Sequence, residues 1–217
     1  MKKIIIFSIF VLALTLSACE DEASKGVSTI TTYPTIELKG AEALTIPVGG
    51  TYVESGVIAK EGETDITSSV TTEGTVNSTK AGVYTIKYTA VNKDGFTVSI
   101  RRYIGVISPA AAAMDISGKY KRNAGAKGIA TIVKTSYAGL YINDNPGGIA
   151  IIPGSNEIFI YMFHTEPTVV SAPSQDTSVG DFACTGGVYD ASGASPLYNW
   201  VCVNSGYGTA VRTFIKQ

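Results

Sequence analysis

The stretch from Tyr84 to Ile100 constrains the fold more than any other part of the chain. Tyr84, Ile86, Tyr88 and Ala90 share one parity, while Thr85, Lys87 and Thr89 take the other. That period of two sends successive side chains to opposite faces of a strand. Asn92-Lys93-Asp94-Gly95 interrupts the pattern, with glycine where a tight turn calls for positive φ. The alternation then resumes as Phe96, Val98 and Ile100. An antiparallel hairpin gathers these residues on one face, whereas a helix would scatter them. Arg102 falls on the same parity as the apolar residues. The pattern therefore calls for a bulge near Arg101-Arg102 or for an arginine that snorkels at the edge of the core.

Around the hairpin, short strands are expected at 35–38, 44–48, 57–59 and 66–71, separated by turn residues such as Val48-Gly49-Gly50. The chain carries 23 Gly and 12 Tyr among many Thr, Val and Ile. Beta-branched and aromatic residues fit a pleated surface, and glycine serves the turns. No amphipathic run of helical period follows the N-terminal segment, so the fold class is all-β. Five blocks then occur in order: Gly49-Gly50-Thr51-Tyr52, Asp65 to Val70, Gly74-Thr75-Val76-Asn77, Ala81 to Ala90, and Asn92-Lys93-Asp94-Gly95. Together they resemble the bacterial immunoglobulin-like domains that occur as repeats in surface proteins and in one crystal-toxin class. The resemblance covers about residues 33–107. It implies an immunoglobulin-like β-sandwich acting as a spacer or adhesion module.

Ser108-Pro109 and the alanines that follow end this pattern, so 108–114 reads as a linker. Residues 115–217 form a second unit. Strands are expected at its opening (Ile116 to Arg122) and at 128–134, 139–142, 148–152, 158–163, 187–189, 197–203 and 209–215. That number of short strands suggests a compact antiparallel β-barrel or sandwich. The run 158–163 is apolar on both parities and reads as a strand covered on both faces. Residues 167–181, with Pro173 and small polar side chains, read as loop. Gly118-Lys119-Tyr120-Lys121-Arg122, Tyr141-Ile142-Asn143-Asp144, Gly187-Val188-Tyr189-Asp190 and the Trp200 strand resemble the C-terminal β-domain of lipoproteins from Bacteroidota glycan-utilisation loci. In that family a Gly-Gly segment rich in aromatics follows the central acidic residue. Asn145-Pro146-Gly147-Gly148-Ile149 lacks the aromatics, and no binding role is carried over to it.

At the N-terminus, Lys2 and Lys3 precede an apolar stretch that ends in Leu16-Ser17-Ala18-Cys19. A charged start, an apolar core and small residues at the processing point define a signal peptide, here 1–18. The stretch is too short for a membrane span of about 20 residues. Leu, two small residues and Cys resemble the lipobox of bacterial lipoproteins, which implies acylation of Cys19 and anchoring to the lipid bilayer. Residues 19–32 then form a tether. Its Glu20-Asp21-Glu22 resembles the acidic signal that sends Bacteroidota lipoproteins to the outer face of the outer membrane. The expected location is the cell outer membrane, facing the exterior.

A net charge of −1 gives no electrostatic case for nucleic acid. Cys184 and Cys202 are read either as a disulfide in an oxidising compartment or as two buried thiols. No metal-binding or redox CxxC spacing occurs, and no cofactor or metal is implied. The single histidine, His164, ends an apolar run, and no nucleophile, base and acid assemble around it. The chain is therefore read as non-enzymatic. Sugar C–H faces stack on aromatic rings while hydroxyls seek amides and carboxylates. The candidate ligand-binding residues are Trp200 and Tyr198 on one strand face, with Tyr189, Asp190, Asn199 and Tyr207. The competing reading makes Trp200 the core aromatic of a small β-domain. The function expected is an accessory role in binding or presenting glycan or another nutrient, beside outer-membrane transport proteins. The alternative is a structural or adhesion protein whose second domain contacts another protein.

Overall fold

The computed structural model describes residues 31–150 and 157–217. Cys19, the apolar run before it and Glu20-Asp21-Glu22 lie outside the described residues. The first half is a two-sheet sandwich. One sheet has the order β1 (Pro34–Leu38), β3 (Val57–Glu61), β4 (Thr64–Asp65). The other has the order β2 (Ala43–Pro47), β7 (Thr97–Ile107), β6 (Gly82–Val91), β5 (Thr71–Glu73). β2 runs parallel to β7, and every other pairing is antiparallel. Val57, Ile86, Tyr88 and Ile104 are buried between the sheets.

The predicted hairpin forms with an unbroken register from Gly82 opposite Val106 to Val91 opposite Thr97. Arg102 therefore needs no bulge, and its head does not snorkel to water either. It is 1% exposed and donates to the carbonyls of Ala41, Lys39 and Gly56 at 2.6 to 3.1 Å. Its Nε lies 3.1 Å from Glu54 Oε1. The guanidinium fork satisfies the Ala41 and Lys39 carbonyls and adds a second bond to the Gly56 carbonyl, which also accepts from Lys39 N–H. The strand expected over 66–71 is mostly a 3-10 turn, Thr67–Ser69. The Asp65 carboxylate accepts from the Thr67 N–H at 2.8 Å, and that local bond competes with strand pairing.

From Arg102 to Ile107, β7 is buried on both faces. The second half of the molecule covers the face turned away from the sandwich core. Between the halves, the segment expected as a linker holds α1 (Pro109–Ala112). It is capped by the Ser108 side chain accepting from Ala111 N–H, with proline in its first turn.

The second half is a closed antiparallel barrel in simple up-and-down order. Its strands are β8 (Gly118–Arg122), β9 (Ile129–Lys134), β10 (Leu140–Asn143), β11 (Ile160–Glu166), β12 (Val169–Thr177), β13 (Gly180–Asp190), β14 (Leu197–Val203) and β15 (Val211–Lys216). β15 pairs back with β8 to close it. Eight strands leave an interior just wide enough for side chains to fill. Tyr120, Tyr141, Met162, Phe182, Tyr198, Trp200 and Phe214 fill it.

Residues 167–181, expected as loop, form β12 and the start of β13. Their period is broken by register shifts between Val170 and Ala172 and between Ala172 and Gln175, which hides a strand from pattern reading. The strand expected at 148–152 does not form over Gly148–Ala150; the remaining two residues lie outside the described residues. Asn145 holds that segment as a turn instead, exchanging side-chain hydrogen bonds with Ile149 N and O at 3.1 and 2.8 Å.

Sandwich and barrel meet along a buried seam. Phe163 lies over Gly105, and Ala43, Tyr103 and Leu140 complete the apolar cluster. Hydrogen bonds cross the seam from Ser108 N to Thr165 O (2.9 Å), from Thr45 Oγ1 to Ala138 O (2.8 Å) and from Tyr103 OH to Ser174 O (3.1 Å). Burial pushes the Tyr103 phenol up to about 12, the nearby Arg101 charge only partly offsetting it. The hydroxyl thus remains a donor across the neutral range.

Candidate functional site

The barrel wall divides the residues expected to bind ligand. Trp200 and Tyr198 point inward and are fully buried. Trp200 Nε1 donates to Pro146 O at 2.9 Å, and its ring meets Tyr198 edge-on at 4.9 Å. Tyr198 stacks on Phe214 at 4.7 Å and accepts a hydrogen bond from Asn143 Nδ2. These rings are the plug of the barrel and have no face free for a sugar. Tyr189 is buried against His164, ring to ring at 5.4 Å. Asn199 lies on the outer face between Val188 and Thr213. Asp190 is exposed and closes its own turn. Hydrogen bonds from Ser192 hold its carboxyl below the usual range. Tyr207 packs on Phe182 at 5.0 Å with the Arg212 guanidinium over its ring. A strand that alternates cannot bring Tyr198 and Asn199 to one ligand, so the expected stacking site is not assembled.

Cys184 and Cys202 stand opposite each other on β13 and β14, and both are buried free thiols. Burial, with the contact to Cys202, pushes the Cys184 thiol up. The Cys202 thiol donates to Pro146 O at 3.4 Å. Of the two readings offered by the sequence, the structure carries the thiols. His164 is buried, with Nε2 3.2 Å from Pro167 O, and desolvation lowers its pKa. Among the described residues no group of three or more His, Cys, Asp or Glu is placed to hold a metal ion.

One set of side chains converges on open space at the seam. Glu42, from the segment before β2, faces Ile142, Phe159, Ile160, Tyr161, Gln175 and Asp176 across a cleft of about 250 Å³. Irregular pairing of the barrel wall shapes it. β12 pairs with β11, across one register shift between His164 and Glu166, as far as Phe163 opposite Ser171. Beyond that point the Gln175 side chain takes over the ladder, accepting from Tyr161 N–H at 2.7 Å and donating to Tyr161 O at 2.9 Å. Pro173, which has no N–H to offer, sits in this irregular stretch.

Phe159 is 57% exposed. An aromatic ring this open, beside Ile142 and the half-buried Tyr161, is available for stacking. The Tyr161 hydroxyl donates to Glu42 Oε2 at 3.2 Å. Burial, then the Glu42 charge, raise its pKa. Arg101 Nη1 is shared between Asp176 at 3.3 Å and Asp181 at 3.1 Å. The cleft therefore offers apolar ring faces, carboxylate acceptors and one phenol to a ligand that presents both C–H and hydroxyl surfaces. The sequence reading missed these residues. Phe159 lies inside the doubly apolar run, whose pattern predicts cover on both faces, yet its own ring is open. Glu42 and Asp176 carry no pattern at all.

Residues 36–106 match the family model described as "Bacterial surface protein, Ig-like domain". The sandwich is thus an immunoglobulin-like domain of the kind found in bacterial surface proteins. Among solved structures, similarity extends to the lipoprotein BT2262 from Bacteroides thetaiotaomicron (22% identity, 85% of this chain, 100% of that chain, TM-score 0.40). It extends also to two structures of Clostridium perfringens ZmpB. One holds the CBM51-2 module in complex with GlcNAc and INT domains (17% identity, 76% of this chain, TM-score 0.30). The other holds the M60 catalytic domain with CBM51-1 and CBM51-2 (14% identity, 87% of this chain, TM-score 0.32). The alignments cover 31% and 22% of those two chains. TM-scores this low do not establish a common fold. No curated protein matches the sequence.

Proposed function

We propose that this chain is a lipid-anchored protein of the outer membrane, displayed on the cell surface, that captures glycan without catalysis in the cleft between its immunoglobulin-like domain and its barrel. The lipobox at Cys19 and the acidic tether support the anchoring and the orientation. The observation that carries the binding role is the exposed Phe159 ring framed by Ile142, Tyr161, Glu42 and Asp176. A sugar ring stacked on Phe159 directs its hydroxyls at carboxylates that accept strong hydrogen bonds. The test is a glycan array probed with the full chain in detergent micelles, beside the Phe159→Ala variant. Binding by the wild type that is lost in the variant supports the reading. Binding that survives the variant, or no binding at all, overturns it.

A second reading, contact with another protein, draws on Val188, Val203 and Val211, which lie exposed on the outer face of β13 to β15. Pull-down that depends on these valines and not on Phe159 would favour it.

A further inference from the structure

We infer that the seam cleft selects sugars by charge, favouring saccharides that carry an amine over neutral ones and rejecting uronic or sulfated ones. This rests on the glycan reading above and narrows its ligand class.

The argument is one of local charge around an aromatic face. Glu42 lines the cleft, and its carboxylate accepts from a neutral phenol, the Tyr161 hydroxyl. A phenol donor leaves the carboxylate charge in place. Asp176 also lines the cleft and shares a single guanidinium, Arg101, with Asp181. One cation thus serves two carboxylates through the same Nη1, while Glu42 adds a third negative charge to the lining. The remaining polar lining is spent on structure. The Gln175 amide oxygen accepts from Tyr161 N–H, and its nitrogen donates to Tyr161 O and Pro173 O. Among the described residues, none that lines the cleft is basic. A carboxylate or sulfate entering the cleft meets like charge, with no cation among the described lining residues to receive it.

An ammonium group meets the opposite conditions. The carboxylates attract it, and the open face of Phe159 attracts it through the ring quadrupole when it sits within about 6 Å of the ring centre. Complementary charge of this kind governs choice of partner more than raw affinity, and salt screens it at these exposed positions. The same cleft therefore discriminates most strongly in dilute buffer.

The test uses three oligosaccharide series of equal length: glucosamine oligomers, neutral glucose oligomers and uronic acid oligomers. Each is titrated calorimetrically into the detergent-solubilised full chain at pH 6, in 20 mM and 500 mM salt. The expected order is amine, then neutral, then uronate, with about tenfold or more between the first and last in dilute buffer. That gap corresponds to about 1.4 kcal/mol and should shrink several-fold in high salt. Glu42→Gln with Asp176→Asn should draw the three affinities together. Uronate binding as tight as amine, or a gap indifferent to salt and to the double variant, overturns the charge selection. If neutral sugars nevertheless bind and Phe159→Ala abolishes it, the glycan reading stands alone. An equally tight oligolysine peptide would show a general cation site and overturn the sugar specificity. Failure of all three series removes the glycan reading and the selection together.

Discussion

Phe163→Ala strikes the seam at its centre. The Phe163 ring is fully buried against Ala43, Tyr103 and Leu140. It lies so close over Gly105 that a Cβ there would come within 2.6 Å of ring Cδ1. Truncating a buried phenylalanine costs about 3 to 5 kcal/mol, rising with the cavity left behind. Here glycine backbone forms one wall and offers no side chain to collapse into the void, which places the cost at about 4 kcal/mol. For a chain of this size that lowers the transition by about 8 to 16 °C. The wild-type protein should unfold in a single calorimetric transition, because the halves share an apolar cluster and hydrogen bonds and ion pairs across the seam. In the variant the immunoglobulin-like domain and the barrel should melt separately. Gly105→Ala should act in the same direction by driving a methyl into the ring. A cost below about 1 kcal/mol, or a wild type that already melts in two independent steps, would refute this reasoning.

Three further outcomes follow from the barrel. Trp200→Ala should cost about 3 to 5 kcal/mol in denaturant titration while leaving sugar binding intact in the folded fraction. The reverse pattern would restore Trp200 as a ligand platform. His164 is held neutral by burial, so its folded pKa lies below the value of about 6.5 in the unfolded chain. Its neutral form is accommodated above that value, and stability should fall as pH drops through about 6.5 toward the folded pKa. A His164→Gln variant should lose this part of the acid slope, and an unchanged slope would place the effect elsewhere. Cys184 and Cys202 should resist a thiol reagent in the unreduced native protein and both react once it unfolds. Two thiols still unreactive after unfolding would mean a disulfide.

The fold was legible in the sequence where one face of a strand meets a core and the other meets water. The hairpin from Tyr84 to Ile100 obeys that rule, and the sandwich follows from it. The rule fails where a second layer covers the outer face. Tyr103, Gly105 and Ile107 break the alternation because the barrel packs on them. It fails again where side chains replace backbone pairing, as Gln175 does at the irregular edge of β12. Trp200 and Tyr198 were visible as a same-face pair, but parity alone does not say which face is the inside of a closed barrel. The cleft was not legible at all. Glu42 lies more than a hundred residues from Phe159, and only the docking of the two halves brings them to one cavity.

The central claim is the place of binding, and hydrogen exchange read by mass spectrometry tests it directly. With the tightest oligosaccharide from the array bound, backbone amides at 41–43, 159–162 and 174–176 should gain protection. Amides of 197–203, which carry Trp200 and Tyr198, should not change. Protection confined to 197–203 and the neighbourhood of Tyr207, with none at the seam, would contradict the account.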